Sequence, residues 1–214
     1  MRKLPRKLEA DTEANGMSNA HPQSECLLLD ASGSMTFRVS PTNPMRRCDV
    51  VLHALQFLLA SPRFATAGLR TVCASANAVT VDAVLSRETW EAASEAFAWA
   101  GSSFLMPGWR RVASAHGKGG ARGVAVVLSD GEAHDAAALC DALMKELPEG
   151  LHVSLCLLGE GPNFERAYQL FTQLSASQPR VAVVRLPAGM GGPSVALALE
   201  AAFSGSAWFP KEQP

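Results

Sequence analysis

Short apolar runs alternate with amphipathic stretches along most of this chain. Residues 26–29 and 124–128 contain only apolar side chains, as expected for strands that are covered on both faces of a sheet. The runs 151–158 and 181–186 are also largely apolar, and each precedes a stretch with apolar residues at helical spacing. The alternation predicts successive parallel βα units, with helices packed on both faces of the sheet.

The amphipathic stretches predict the helices that cover this sheet. Asn43 and Pro44 are suited to cap and begin a first helix that continues to Leu59. Ser86 is suited to cap a second helix that continues to Ala100. Later helices are predicted from the apolar stripes within residues 139–147, 164–174 and 195–203.

Two strand-like runs lie too close together for a helical crossover. Residues 69–74 and 78–84 are separated only by the turn-prone segment 75–77, which favours an antiparallel hairpin. The expected fold class is therefore α/β: a doubly wound, mostly parallel sheet of six strands with one antiparallel edge strand and helices on both faces.

Composition favours one globular domain flanked by short terminal segments. The chain has 214 residues, of which 48% are hydrophobic and 18% charged, and this is enough to bury a substantial core. Residues 1–24 carry charges, prolines and glycine without a sustained period, so we interpret them as a flexible N-terminal arm. Residues 25–205 form the predicted domain, and residues 206–214 form a C-terminal tail.

Charge and hydropathy exclude several classes of partner. The formal net charge is −1 with both signs mixed along the chain, so we expect neither nucleic-acid nor membrane binding. No apolar stretch approaches the roughly 18 residues that a membrane span needs. The basic start lacks the apolar segment of a secretory signal, and five dispersed cysteines indicate free thiols, so we expect a cytoplasmic protein.

Oxygen-bearing side chains follow the two most apolar strands. Asp30, Ser32 and Ser34 stand at alternate positions after the first strand, and Gly33 lets the chain curl there. Asp130 follows the second of these strands, and the carboxyl ends of neighbouring parallel strands meet at one edge of a sheet. Carboxylates and hydroxyls without imidazole or thiolate favour Mg²⁺ or Mn²⁺ over Zn²⁺ or copper.

These residues resemble the metal-ion-dependent adhesion motif of von Willebrand factor A domains. Asp30, Ser32 and Ser34 match the family's DxSxS motif position by position, and Asp130 matches its distal aspartate. Ser103, in the segment Gly-Ser-Ser-Phe-Leu, stands where the family has a threonine ligand. Serine keeps the hydroxyl but loses the methyl group that stiffens threonine.

The resemblance covers residues 25–205 in element order and implies a Rossmann-like domain with a functional metal site. The implied ion is Mg²⁺, with Mn²⁺ or Ca²⁺ as alternatives, and an Asp or Glu of a partner protein would complete its coordination. It further implies a protein-interaction module, an adaptor or assembly factor, without catalytic or organic-cofactor residues. Intracellular stand-alone members are most similar, including tellurium-resistance proteins and partners of MoxR-type ATPases, so an ATPase-containing assembly is the implied partner.

Two other functions stay open at this point. A metal-assisted hydrolase would need His134, His116 or Glu132 as its general base near an activated water. A metal-free copy of the fold would serve only as a scaffold. The long segment 35–43, which contains Phe37, is expected to rim the metal and to contribute partner specificity, with a passive surface loop as the alternative.

Three glycine clusters in the sequence are candidates for phosphate-binding loops. Residues 159–161 follow a predicted strand but lack the third glycine of a dinucleotide-binding turn. Residues 117–120 precede a strand instead of a helix, and residues 189–192 precede the last predicted helix. We interpret all three clusters as structural turns.

Overall fold

The structure is a computed structural model that describes residues 24–76, 78–116 and 122–205, with the side chain of Ser24 excepted. The predicted N-terminal arm up to residue 23, the glycine cluster 117–120 and the predicted tail 206–214 lie outside the described residues. No helix in the described part is long and apolar enough to cross a membrane.

Six strands form one sheet in the order β3-β2-β1-β4-β5-β6. All neighbouring pairs are parallel except β2 and β3, which form the antiparallel edge hairpin. This arrangement confirms the predicted fold class. The strands are β1 (Ser24–Asp30), β2 (Leu69–Ser75), β3 (Ala78–Leu85), β4 (Gly123–Ser129), β5 (Leu151–Leu158) and β6 (Val181–Leu186).

Helices cover both faces of this sheet. A 3₁₀ turn over Gly33–Thr36 follows β1 directly. The α-helices are α1 (Arg47–Ala60), α2 (Trp90–Glu95), α3 (Met106–His116), α4 (Ala136–Lys145), α5 (Pro162–Ser177) and α6 (Gly192–Phe203). Alternate residues of β1 enter different cores: Leu27 and Leu29 pack with residues of α1 and α6, and Leu28 packs with residues of α3, α4 and α5. The apolar run 26–29 within β1 is thus buried on both sides, as predicted.

The predicted start of the first helix is wrong. Helix α1 begins at Arg47, and Asn43 makes other contacts: its side-chain carbonyl accepts the Met45 N–H at 3.1 Å, and its amide group donates to the Ala188 carbonyl at 3.0 Å. Residues 38–46 form a loop, which is closed by an isolated β-bridge between Arg38 and Arg46. The long-range bond to Ala188 gives Asn43 a role that its capping propensity does not reveal.

The second helix is also shorter than predicted. Ser86 and Thr89 form a turn in which the Thr89 hydroxyl accepts the Ser86 N–H at 2.9 Å, and α2 then covers only Trp90–Glu95. Ala100 has left the helix because its N–H donates to the Ala31 carbonyl at 3.1 Å. Helix α3 was not predicted at all; Pro107 and Gly108 in its first turn weaken its sequence signal.

Helix α3 lies unusually close to the sheet at Gly108. A Cβ atom at this position would overlap Leu28 Cδ1 and would lie 2.9 Å from Ala74 Cβ. The missing side chain therefore lets α3 pack against β1 and β2 at the distance that brings the preceding loop to the sheet edge.

We expect Gly108→Ala to lower the free energy of unfolding by about 1–3 kcal/mol, because an added methyl group overpacks this contact. Urea denaturation measures the change. The matched control is Gly189→Ala, since a Cβ there meets nothing within 4 Å and should change stability by less than about 0.5 kcal/mol. Equal effects of both substitutions would show that the helix approach does not depend on Gly108.

Candidate metal centre

The predicted site residues lie at the carboxyl ends of β1 and β4. These two strands are neighbours, with Leu29 paired to Leu128, so Asp30 and Ser129 follow side by side. From β1 the chain winds toward β3, and from β4 it winds toward β6, so the winding direction reverses between these strands. Loops that leave such a switch point in opposite directions open the crevice in which doubly wound sheets bind ligands.

Asp30 is the centre of the polar contacts at this edge. Its side chain is fully buried; Oδ2 accepts hydrogen bonds from the hydroxyls of Ser103 at 2.6 Å and Ser129 at 2.8 Å, and Oδ1 accepts the Ser32 N–H at 3.1 Å. Burial raises the pKa of Asp30 above its ordinary value, and the nearby Asp130 carboxylate raises it further. The hydrogen bonds from the three serines oppose this shift only in part.

Ser32 and Ser34 converge because the chain curls immediately after β1. The 3₁₀ turn begins at Gly33, and the two hydroxyl oxygens lie 3.0 Å apart. The Gly33 N–H donates to the Gly101 carbonyl at 2.9 Å, which ties this loop to the loop that carries Ser103. The hydroxyls of Ser32 and Ser34, at alternate positions in the sequence, therefore lie next to each other in the structure.

Ser103 is held by the loop that follows β4. Its carbonyl accepts the His134 N–H at 2.9 Å. The Asp135 carboxylate accepts the N–H groups of Leu105 at 2.9 Å and Met106 at 2.8 Å, so it caps the start of α3 from a different part of the chain. These bonds fix the loop in the position where the Ser103 hydroxyl reaches Asp30.

Asp130 is paired with a buried arginine. Its fully buried Oδ2 accepts a hydrogen bond from Arg47 Nη1 at 2.6 Å, and its Oδ1 accepts the Glu132 N–H at 2.9 Å. The Arg47 side chain is only 7% exposed, and its Nη1 also lies 3.2 Å from Glu132 Oε1 and 3.3 Å from the Ser34 carbonyl oxygen. Arg47 thus connects the loop after β1 to the loop after β4.

The structure brings all five predicted residues, Asp30, Ser32, Ser34, Ser103 and Asp130, into one network of contacts. Their role as metal ligands stays a prediction. Sequence analysis missed Arg47, Ser129 and Asp135. Ser129 could have been found, because it directly precedes Asp130 in the same turn, but Arg47 and Asp135 carry no local signal of their contacts.

The three candidate general bases of a hydrolase lie at opposite ends of the sheet's strands. His116 lines a small cavity with Glu25 and Leu151, at the amino ends of β1 and β5, and is therefore remote from Asp30. His134 lies at the site, where its ring Nδ1 is 3.3 Å from the Ser103 carbonyl oxygen. Glu132 also lies there, through its contact with Arg47. Of the three candidate general bases, His134 and Glu132 therefore lie at the site.

The donor set fits a hard divalent cation. Two carboxylates and several hydroxyls meet here, and such oxygen donors are preferred by Mg²⁺ and Mn²⁺. Among the described residues, no cluster of three or more His, Cys, Asp or Glu side chains could hold a metal. Burial raises the pKa of the Cys26, Cys73 and Cys156 thiols to about 12, which keeps them protonated at neutral pH.

Comparison with known proteins shows similarity in fold. Neither protein-family models nor curated protein sequences match this chain. The PilB minor pilin from Streptococcus sanguinis has a TM-score of 0.59 at 13% identity, over 91% of this chain and 64% of the pilin chain. Its D319A mutant has a TM-score of 0.61 at 10% identity, with the same coverage. The chain therefore spans less than two thirds of the length of these pilins.

Two further structures share the arrangement. The manganese-loaded TRAP protein from Plasmodium vivax has a TM-score of 0.50 at 12% identity, over 83% of this chain and 71% of that chain. The fold is von Willebrand factor A-like. The pilus adhesin SpaC from Lactobacillus rhamnosus GG has a TM-score of 0.51 at 12% identity, over 86% of this chain and 30% of the adhesin. At these identities the similarity concerns the fold alone.

Because its pKa is raised, Asp30 makes stability depend on pH. Below the ordinary aspartate pKa of about 3.9, the folded and unfolded chains both hold this proton. As pH rises from there through the raised folded pKa, the unfolded chain releases the proton first and becomes relatively more favourable. In EDTA, we therefore expect the stability of wild type relative to Asp30→Asn to fall as pH increases.

Urea denaturation over a pH series measures this difference. The matched control is Asp141→Asn, whose carboxylate is 61% exposed and should give a nearly constant offset from wild type. A difference between wild type and Asp30→Asn that is constant or that grows in favour of wild type with pH would contradict the assignment.

The cap from Asp135 predicts a separate effect. We expect Asp135→Ala to cost about 0.5–2 kcal/mol of stability, as loss of a helix cap does, and to speed amide hydrogen exchange at Leu105 and Met106. Asp141→Ala serves as the control on an exposed helix surface. Unchanged exchange at both amides would show that Asp135 does not hold the Ser103 loop.

Proposed function

We propose that this protein is a metal-dependent protein-interaction module, acting as an adaptor or assembly factor. A divalent cation, with Mg²⁺ as the first choice, would be held by Asp30, Ser32, Ser34, Ser103 and Asp130. An Asp or Glu of a partner protein would complete the coordination. The observation that supports this proposal is the convergence of these oxygen-bearing side chains from separate loops at one switch point.

Each part of the chain has a defined task in this proposal. The bound cation would supply a concentrated positive charge and a coordination position open to a carboxylate. The hydroxyls of Ser103 and Ser129 orient the Asp30 carboxylate, and the Glu132 N–H orients Asp130. The TRAP protein, which has a similar fold, is manganese-loaded in its crystal structure, and this is consistent with divalent-cation binding by such a fold.

The loop after β1 would contribute contacts to the partner. Phe37 is 61% exposed, whereas Val39 is buried and donates its N–H to the Met45 carbonyl at 2.9 Å. The bridge between Arg38 and Arg46 closes the base of the loop. An aromatic side chain on an anchored loop beside the site is suited to specific protein contact, because little conformational freedom is lost on binding.

An open groove extends the site on its other side. Glu132 and His134 line it from the loop after β4, and Asn163 and Arg166 line it from the first turns of α5. The groove carries charges of both signs, which suits a polar segment of a partner that places its carboxylate at the metal. A cytoplasmic location and an ATPase-containing assembly remain predictions from the sequence resemblance.

The paired hydroxyls of Ser32 and Ser34 allow a clean test of metal binding. They hydrogen-bond to each other, so replacing both with alanine removes two proposed ligands without leaving one of the pair unsatisfied. We expect Ser32→Ala/Ser34→Ala to weaken Mg²⁺ binding by roughly tenfold or more, since even changes around metal ligands have effects of that size. Isothermal titration with Mg²⁺ and thermal unfolding in Mg²⁺ or EDTA measure this effect.

The control is Ser114→Ala/Ser177→Ala, because within the described part of the chain these exposed hydroxyls bond only to carbonyls of their own helices. We expect wild type and the control to retain partner proteins from a lysate in Mg²⁺ but not in EDTA, and the site variant to lose them.

Other outcomes would favour the alternative functions. If Mg²⁺ changes neither stability nor capture in wild type, the protein is a metal-free scaffold. If wild type hydrolyses a generic phosphate ester in Mg²⁺ and the site variant does not, the hydrolase is favoured, with His134 or Glu132 as the base.

A further inference from the structure

Arg47 contacts Asp130, one of the proposed metal ligands. Its Nη1 donates to Asp130 Oδ2 at 2.6 Å, while the other oxygen of this carboxylate already accepts the Glu132 N–H. Both oxygens of Asp130 therefore have partners within the chain. A cation that binds Asp130 through Oδ2 would share this oxygen with the guanidinium group or displace it, and a cation at Oδ1 would still lie beside the arginine's positive charge.

The protein provides a dedicated space for this guanidinium group. Gly159, directly after β5, has a φ of +144°, which other residues rarely adopt. A Cβ atom there would lie 3.3 Å from Arg47 Nε and 3.5 Å from its Cζ, so a larger residue would crowd the arginine. The sharp turn after β5 thus makes room for Arg47, as well as connecting β5 to α5.

Arg47 is not fully satisfied in this space. Its Nε is buried and has no hydrogen-bond partner among the residues that the structure describes. The side chain is held chiefly by charge, through Asp130 and Glu132. Burying such an ion pair costs desolvation, and its attraction offsets this cost fully only where the remaining donors are also hydrogen-bonded.

The formal charges explain the consequence for metal binding. Asp30, Asp130 and Glu132 carry three negative charges, and Arg47 carries one positive charge close to two of them. The arginine reduces the negative potential that would attract a divalent cation and repels the cation directly. It also neutralises Asp130 without requiring any metal.

We propose that Arg47 is an internal counter-cation that competes with the divalent ion for Asp130 and so sets how tightly the site holds that ion. This inference rests on the proposed function, because it concerns the regulation of the same site. Where the ion displaces Arg47 from Asp130, the contact of its Nη1 with the Ser34 carbonyl in the partner-facing loop would change as well.

The test compares Arg47→Met with a control at the neighbouring arginine. Arg46 is 57% exposed and pairs with Asp49 on the surface, so Arg46→Met removes the same charge one residue away from the site. Isothermal titration with Mg²⁺ measures affinity, and thermal unfolding in EDTA and in Mg²⁺ measures stability. We expect Arg47→Met to bind Mg²⁺ at least tenfold more tightly than wild type, and Arg46→Met to resemble wild type.

The stability measurement gives a second, independent readout. In EDTA, Arg47→Met should unfold at a lower temperature than wild type, because Asp130 has lost its buried partner. Mg²⁺ should raise its unfolding temperature by more than it raises that of wild type. Arg47→Gln keeps an amide donor for Asp130 without the charge, and it gives the same comparison of affinities if Arg47→Met does not fold.

The outcomes separate this inference from the proposed function. If wild type binds Mg²⁺ and neither uncharged variant binds it more tightly, the inference is overturned and the proposed function stands. If only the Arg47 variants bind Mg²⁺, the inference is supported and metal-dependent function of the wild type fails. If no protein binds Mg²⁺, both are overturned.

Discussion

Two carboxylates, Asp30 and Asp130, are buried close together at the ends of neighbouring strands, and the rest of the site is built to satisfy them. A buried carboxylate is costly unless it is paired or hydrogen-bonded. Asp30 receives hydroxyl and backbone donors, whereas Asp130 receives a guanidinium group and a backbone donor. The loops that supply these donors come from separate parts of the chain, so the carboxylates determine how the loops meet.

The two faces of the sheet make different contributions to this arrangement. On one face, α1 and α6 pack closely: a Cβ atom at Gly192 would overlap His53 Cβ in α1 and would lie 3.2 Å from the Ala54 nitrogen. This contact holds α1 in place and therefore positions Arg47 at its first turn. On the other face, the absence of a side chain at Gly108 lets α3 approach the sheet, which brings the Ser103 loop to Asp30. The packing of both layers thus converges on one crevice.

The charges of the two carboxylates are consequently compensated to different degrees. Asp30 stays partly uncompensated, as its raised pKa shows, and a metal cation would offset this cost. The negative charge of Asp130 is compensated by Arg47 of the same chain, so this compensation does not depend on a metal. Proteins commonly retain such locally unfavourable groups at functional sites and compensate for them elsewhere in the fold.

The sequence by itself determined the sheet, the edge hairpin and the residues that approach the switch point. These features have local signals: apolar runs specify buried strands, a three-residue turn excludes a crossover, and polar residues directly after strands must lie at their carboxyl ends. The tertiary structure alone decided the start of α1, the shortening of α2 and the presence of α3. Arg47 and Asp130 are 83 positions apart, and Asp135 caps a helix about 30 residues before it. Such contacts depend on which segments the fold brings together, so propensity and spacing along the chain cannot reveal them.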